Sequence, residues 1–239
     1  MSASLKDRTV LVIGRPSGIA REITLAVREA GGNVVVAGRD KEALATAYDD
    51  DPDITAEQID LTDESSIAAL AERLGQVDHI VSTASARARG TVAALDHDTV
   101  LASFNVKVVG PMFLAKHFAA RMPADGSFVL FSGSSAQKPT VGMLAVGATN
   151  GAVDVVTRTL AVELAPIRVN AISPGTVDSG AYDGLGDKTK AALFATREAS
   201  NPARRIGRSA DIAEAVIFEL TNTFMTGISL GVDGGEPLV

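Results

Sequence analysis

An enzyme whose chemistry needs a phenol has only two places for it in this sequence, Tyr48 and Tyr182. Histidine is equally scarce. His79, His97 and His117 are widely spaced, which argues against a histidine metal site, and no metal is expected. The absence of Cys excludes disulfide frameworks, thiolate zinc sites, iron–sulfur clusters and cysteine nucleophiles, and it fits a reducing, cytoplasmic setting. The clearest chemical motif is Gly14-Arg15-Pro16-Ser17-Gly18-Ile19-Ala20, placed between an apolar run and a helical pattern. Glycines there let the backbone approach phosphate oxygens, and a helix N-terminus offers free N–H groups with a partial positive charge.

The elements that must position this loop follow from hydrophobic periodicity. Thr9–Ile13 reads as a buried strand, and Ile19, Ile23, Val27 and Ala30 share one face of the helix after it, which Gly31-Gly32 stops. Further strands are expected at Val34–Ala37, ending at Ile59-Asp60, and at Val77–Val81, Phe128–Phe131, Ile167–Ile172 and Ile228–Val232. Helices should lie between them. One is capped by Thr62 with apolar face Ile67, Leu70, Ala71 and Leu74; another runs over roughly 99–122 and is kinked or divided at Pro111. The last two expected are Ala145–Leu164 and Asp211–Leu220. Residues 176–208, rich in Gly and polar side chains, read as an excursion with short helices that could cover a site.

This alternation predicts one α/β domain over 1–239, a doubly wound Rossmann fold with about seven parallel strands and helices on both faces. The 239 residues, 46% hydrophobic and 21% charged, suit a single globular unit. A net charge of −7 speaks against a nucleic-acid surface, and no run approaches the ~18 apolar residues of a membrane span. In such a fold the residue at the end of the second strand chooses the cofactor. Here Arg39, helped by Arg15, would pair with a 2′-phosphate, favouring NADP(H) over NAD(H); the neighbouring Asp40 is the counter-argument.

Five motifs in order along the whole chain resemble the short-chain dehydrogenase/reductase family. Gly14-x3-Gly18-Ile19-Ala20 is similar to its glycine loop, with Ala20 replacing the last glycine, and Asp60-Leu61-Thr62 resembles the motif beside the adenine ring. Asn105 falls where the family places a helix asparagine; the segment Arg168 through Pro174-Gly175 resembles its nicotinamide-contacting strand, and Thr226-Gly227 through Gly235 its tail. Ser82-Thr83-Ala84-Ser85 stands in for Asn-Asn-Ala-Gly. The resemblance thus implies cofactor contacts from Gly14, Arg15, Ser17, Gly18 and Ile19, from Arg39, Asp60, Leu61 and Ala84, and from Asn150, Pro174, Gly175 and Val177. It implies a homo-oligomer as well, commonly a tetramer, acting on a small-molecule substrate.

The departures fall at the chemistry. The family performs its proton transfer with a Tyr-x3-Lys pair, yet the matching positions here hold Val146 and Asn150. Pro52 follows Tyr48 by four residues and Gly186 follows Tyr182 by four, so the pair is absent in every register. Tyr182 falls in the lid rather than on the catalytic helix. Ser134, or Ser132 on the other side of Gly133, is left as a candidate for contact with a substrate oxygen, and the resemblance places Asn105 among the catalytic residues. The expectation is an NADP(H)-binding oxidoreductase with altered proton chemistry on a carbonyl, imine or alkene. The alternatives are a non-catalytic dinucleotide-binding sensor or scaffold, and a non-redox dehydratase or lyase reusing the pocket.

Overall fold

A computed structural model describes residues 4–239. β1 (Thr9–Ile13) leads into α1 (Gly18–Glu29), followed by β2 (Asn33–Gly38), α2 (Lys41–Ala47), β3 (Ile54–Gln58), α3 (Glu64–Leu74) and β4 (His79–Ser82). α4 (His97–Phe104) runs through a π-helical turn at Asn105–Val109 into α5 (Gly110–Phe118), and β5 (Ser127–Phe131) and α6 (Leu144–Glu163) follow. β6 (Arg168–Pro174), β7 (Val177–Asp178), α7 (Asp187–Ser200), β8 (Gly207–Arg208), α8 (Ser209–Thr221) and β9 (Ser229–Val232) complete the order.

Seven parallel strands form one sheet in the order β3-β2-β1-β4-β5-β6-β9, and β7 pairs with β8 apart from it. The strand residues are apolar on both faces because helices cover both. Leu11 and Ile13 of β1 join Ile80, Phe128 and Leu130 beneath Ile67 and Leu70 of α3, Leu114 and Phe118 of α5 and Val153 of α6. The alternate residues Val10 and Val12 join Val34, Val36, Val81 and Val129 beneath Ile23 and Val27 of α1 and Ile212 and Val216 of α8. Each such side chain contributes about 1.5–3 kcal/mol on burial. The strand order reverses between β1 and β4, and this opens a crevice at their carboxyl ends.

Several local readings change. Asp63, not Thr62, caps α3, its carboxylate accepting from the Ser65 N–H at 2.9 Å. Thr62 instead donates its N–H and hydroxyl to Asp60 Oδ1. The expected long helix over 99–122 is present as a continuous right-handed helical run, its α-helical bonding giving way to the π turn just before Pro111. Residues 176–208 hold β7, β8 and the 14-residue α7, none of whose side chains is fully buried.

Candidate active site

A cavity of about 950 Å³ occupies the crevice. One end is made of backbone. The strand β1 ends at Gly14, whose N–H donates to the Ala37 carbonyl at 2.9 Å. A Cβ on Gly14 would stand 2.3 Å from Thr83 Oγ1 and 2.7 Å from the Ala20 methyl, so the alanine that replaces a glycine has taken up the room a side chain would need. At the start of α1 the Ser17 side chain makes no capping bond, so first-turn N–H groups remain for a ligand. These features fit a dinucleotide pyrophosphate.

Of the residues expected to hold the cofactor, Gly14, Arg15, Ser17, Ile19, Arg39, Asp60, Leu61, Ala84, Asn150, Pro174, Gly175 and Val177 all line this cavity. Gly18 lies outside its lining. It takes a φ of +60°, and a Cβ there would meet the Ser179 carbonyl at 2.3 Å, so its backbone packs against the strand-to-lid connection. Asp40 is diverted from the site: it caps α2 by accepting from the Ala43 N–H at 2.9 Å, leaving Arg39 as the charged residue of that strand end on the cavity.

The other end is made of side chains. Val146 is buried in the cavity wall on α6, and one turn later Asn150 is 2% exposed. Both amide hydrogens of Asn150 are used within the protein, on Ser135 Oγ at 2.7 Å and the Gly133 carbonyl at 3.3 Å. Its Oδ1 accepts from Lys107 Nζ. The Lys107 ammonium also donates to the Ser132 carbonyl at 3.0 Å. Ser132 spends its hydroxyl on the Asn150 carbonyl at 3.1 Å, a backbone tie, while the half-buried Ser134 lines the cavity.

Asn105 does not reach the site. It is exposed and outside the cavity lining. Residues two apart on a helix point about 200° from one another, so the geometry that turns Asn105 outward turns Lys107 inward. The π turn spanning Asn105–Val109 sits where this choice is made, as such turns often do at functional sites. Lys107 was legible only as a lone charge among Val106, Val108 and Val109. Burial pushes its pKa down to about 7, Arg87 nearby adds to that, and Asp154 on α6 opposes it.

Tyr182 stands in the connection between β7 and α7 and lines the cavity, its ring edge-on to Phe194 at 5.7 Å and under the Arg89 guanidinium at 5.4 Å. Tyr48 ends α2, buried in the core under α1. Sequence reasoning also missed Glu236, whose carboxylate accepts from the Thr176 N–H at 2.7 Å and hydroxyl at 2.9 Å and pairs with Arg197 of α7 at 3.4 Å. It ties the segment after β6 to the lid helix.

Sheet order, glycine loop and crevice together define a dinucleotide-binding α/β protein. A family profile described as enoyl-(acyl carrier protein) reductase matches residues 13–236. A short-chain dehydrogenase/reductase of Malbranchea aurantiaca, malC, is 30% identical, the match covering 97% of this chain and 95% of the relative. Its solved structure, described as a reductase/Diels–Alderase, has a TM-score of 0.89 and covers 98% of each chain. A small-chain dehydrogenase crystallised with NADPH is 32% identical, with a TM-score of 0.87 over 97% of this chain and 99% of that one. An NADPH-bound short-chain oxidoreductase of Pseudomonas aeruginosa, described as containing an atypical catalytic center, is 26% identical with a TM-score of 0.89 over 97% of each chain. This chain belongs to the short-chain dehydrogenase/reductase family. Among the described residues no helix is long and apolar enough to cross a membrane.

Proposed function

We propose that this protein is an NADP(H)-dependent oxidoreductase acting on the carbonyl, imine or activated alkene of a small molecule, with proton chemistry that does not use a Tyr-Lys pair. The observation that carries this reading is the single cavity joining the Gly14–Ile19 loop and Arg39 to Ser134, Asn150 and Lys107. The nicotinamide, when bound, supplies or takes a hydride. The chain's part is to hold pyrophosphate on the N-terminus of α1, to meet a 2′-phosphate with Arg39 and Arg15, and to shelter the reacting end under the lid. Valine at 146 can neither give nor take a proton, so ketone reduction through that position would forfeit the ~10²–10⁴-fold that general acid catalysis provides. The NADPH complexes among the similar structures support the cofactor, and the relative described as having an atypical catalytic center supports a rewritten reaction end. The Malbranchea relative's description adds a cycloaddition, a reaction class that needs no proton donor.

Titration of the purified protein with NADPH and NADH, followed by cofactor oxidation over ketones, cyclic imines and enones, tests the reading. Tighter NADPH binding with turnover is expected. Binding without turnover on any of them would favour a dinucleotide-binding sensor or scaffold, which Val146 in the wall keeps in play. We also propose a homo-oligomer; the exposed Leu101, Met112, Val155 and Val162 on α4, α5 and α6 support it, and sedimentation velocity checks it.

A further inference from the structure

We propose that the Lys107 ammonium is the proton donor of this site, protonating the oxygen of a carbonyl substrate as that carbonyl is reduced. The proposal rests on the oxidoreductase reading above and names its acid. Asn150 stands where the family pattern has lysine, and Lys107 Nζ is hydrogen-bonded to Asn150 Oδ1. The ammonium has therefore been returned to within one hydrogen bond of that position, delivered from the π turn beside α4 instead of from α6. An ammonium carries three donors. Two are satisfied, by Asn150 Oδ1 and the Ser132 carbonyl, and among the described residues the third has no protein acceptor. Lys107, Ser134 and Val146 all line the cavity, which leaves that hydrogen for an oxygen seated there.

The charges facing Lys107 suit an acid that must let go. Arg87, from the loop after β4, lines the cavity and disfavours a second positive charge beside it. Asp154, a turn beyond Asn150 on α6, favours the charge but makes no hydrogen bond to it. Asn150 and Ser132 contribute only neutral oxygens. The balance, with burial dominant, holds the lysine near neutrality, where a general acid is most effective. In the step itself the carbonyl carbon takes the hydride supplied by the dihydronicotinamide. The carbonyl π pair forms a new O–H bond with a proton from Nζ, and the neutral amine is reprotonated by solvent. The substrate gains two electrons and the dinucleotide loses two.

Competitive acetylation of the intact, ligand-free protein, read residue by residue by mass spectrometry, measures the Lys107 titration directly. A midpoint near pH 7 is expected, against about 10.4 for surface lysines; a midpoint above about 9.5 overturns the proposal alone. Kinetics then compare Lys107→Met and Lys107→Arg with wild type on an aryl ketone and on a quaternary cyclic iminium, which cannot accept a proton at nitrogen. Lys107→Met should lose ~100-fold or more in kcat/KM for the ketone while iminium reduction and NADPH affinity stay within about threefold. Lys107→Arg, charged at every working pH, should not rescue the ketone. The wild-type ketone rate should fall about tenfold per pH unit above 7, and the iminium rate should not. Equal losses on both substrates, no loss on either, or a wild type that binds NADPH yet reduces no ketone would each overturn the proposal. A wild type that fails to bind NADPH overturns the oxidoreductase reading instead, while the acetylation midpoint still reports on the lysine.

Discussion

The two ends of the cavity follow different rules. At the glycine-loop end the surface is largely backbone: Gly14, the open N-terminus of α1 and the Pro174-Gly175 corner, where a Cβ on Gly175 would meet the Asp233 backbone at 2.8 Å. Such a site tolerates changes of side-chain chemistry but not of shape. At the reaction end the surface belongs to side chains: Val146, Asn150 and Lys107 line it, and Lys107 Nζ donates to Asn150 Oδ1. Chemistry carried by side chains can be moved from one helix to another, provided the moved charge finds acceptors. Chemistry carried by backbone has to stay where the fold puts it.

The largest effect should come from breaking the backbone end. Gly18→Val places a branched side chain at φ +60° and drives its Cβ into the Ser179 carbonyl. A loss of about 3 kcal/mol or more is expected, with NADPH affinity falling alongside; chemical denaturation and calorimetric titration measure both. If Gly18→Val binds NADPH as wild type does, the shape-based account of that end fails.

A buried acid far from the cavity shows whether low dielectric alone explains a shifted group. Glu219 on α8 is fully buried, and neither carboxylate oxygen has a hydrogen-bond partner among the described residues. Arg168 gives its guanidinium to the Glu219 and Leu220 carbonyls at 2.8 and 2.9 Å, closing the helix end rather than neutralising the acid. Burial raises the Glu219 pKa to about 8 from 4.5. A raised folded-state pKa means that the stability this group contributes is present below about pH 4.5 and is lost as the pH climbs to about 8. Glu219→Gln should therefore gain on wild type across that window by about 1.4 kcal/mol per pH unit and level off above it, with turnover unchanged. Thermal melts from pH 5 to about 9 test the slope; parallel curves would refute it.

At the reaction end, Asn150→Lys would set a second ammonium against Lys107 and remove one of its two acceptors. A loss of about 2–3 kcal/mol is expected, the scale of a lost hydrogen bond to a buried charge. The exchange Lys107→Asn with Asn150→Lys should recover most of it. Failure of the double variant to recover stability in urea melts would show that the two positions are not interchangeable.

The smallest effect concerns cofactor choice. Arg39→Ala should lower the NADPH-over-NADH preference by about tenfold, near 1.4 kcal/mol, and leave NADH affinity unaltered. Paired titrations read it directly. An unchanged ratio would transfer the 2′-phosphate contact to Arg15.

Much of the architecture was legible because both sheet faces are covered. Alternation such as Val10, Leu11, Val12, Ile13 can satisfy two cores only as a central strand. The helix ends were less legible. Asp63 and Thr62 are equally plausible caps by type, and their assignment depends on Asp60 accepting from Thr62. Asp40 could be read as a ribose ligand until α2 formed behind it and took its carboxylate as a cap. Asn105 could be read as facing inward because sequence spacing does not report the phase that a π turn imposes on the helix.

By itself the sequence determined that no tyrosine–lysine pair at that spacing is present. Two tyrosines, neither followed by lysine at the fourth place, exclude the pair in any register, and a glycine loop opening a strand–helix unit specifies an anion cradle. These are properties of identity and short spacing. Only the tertiary structure decided which positive charge stands beside Asn150. Lys107 and Asn150 lie 43 residues apart on separate elements, and packing of α4 and its π turn against α6 brings them together. The same packing buries the ammonium and so lowers its proton affinity. A lysine's pKa belongs to its surroundings, and those surroundings exist only once the chain has folded.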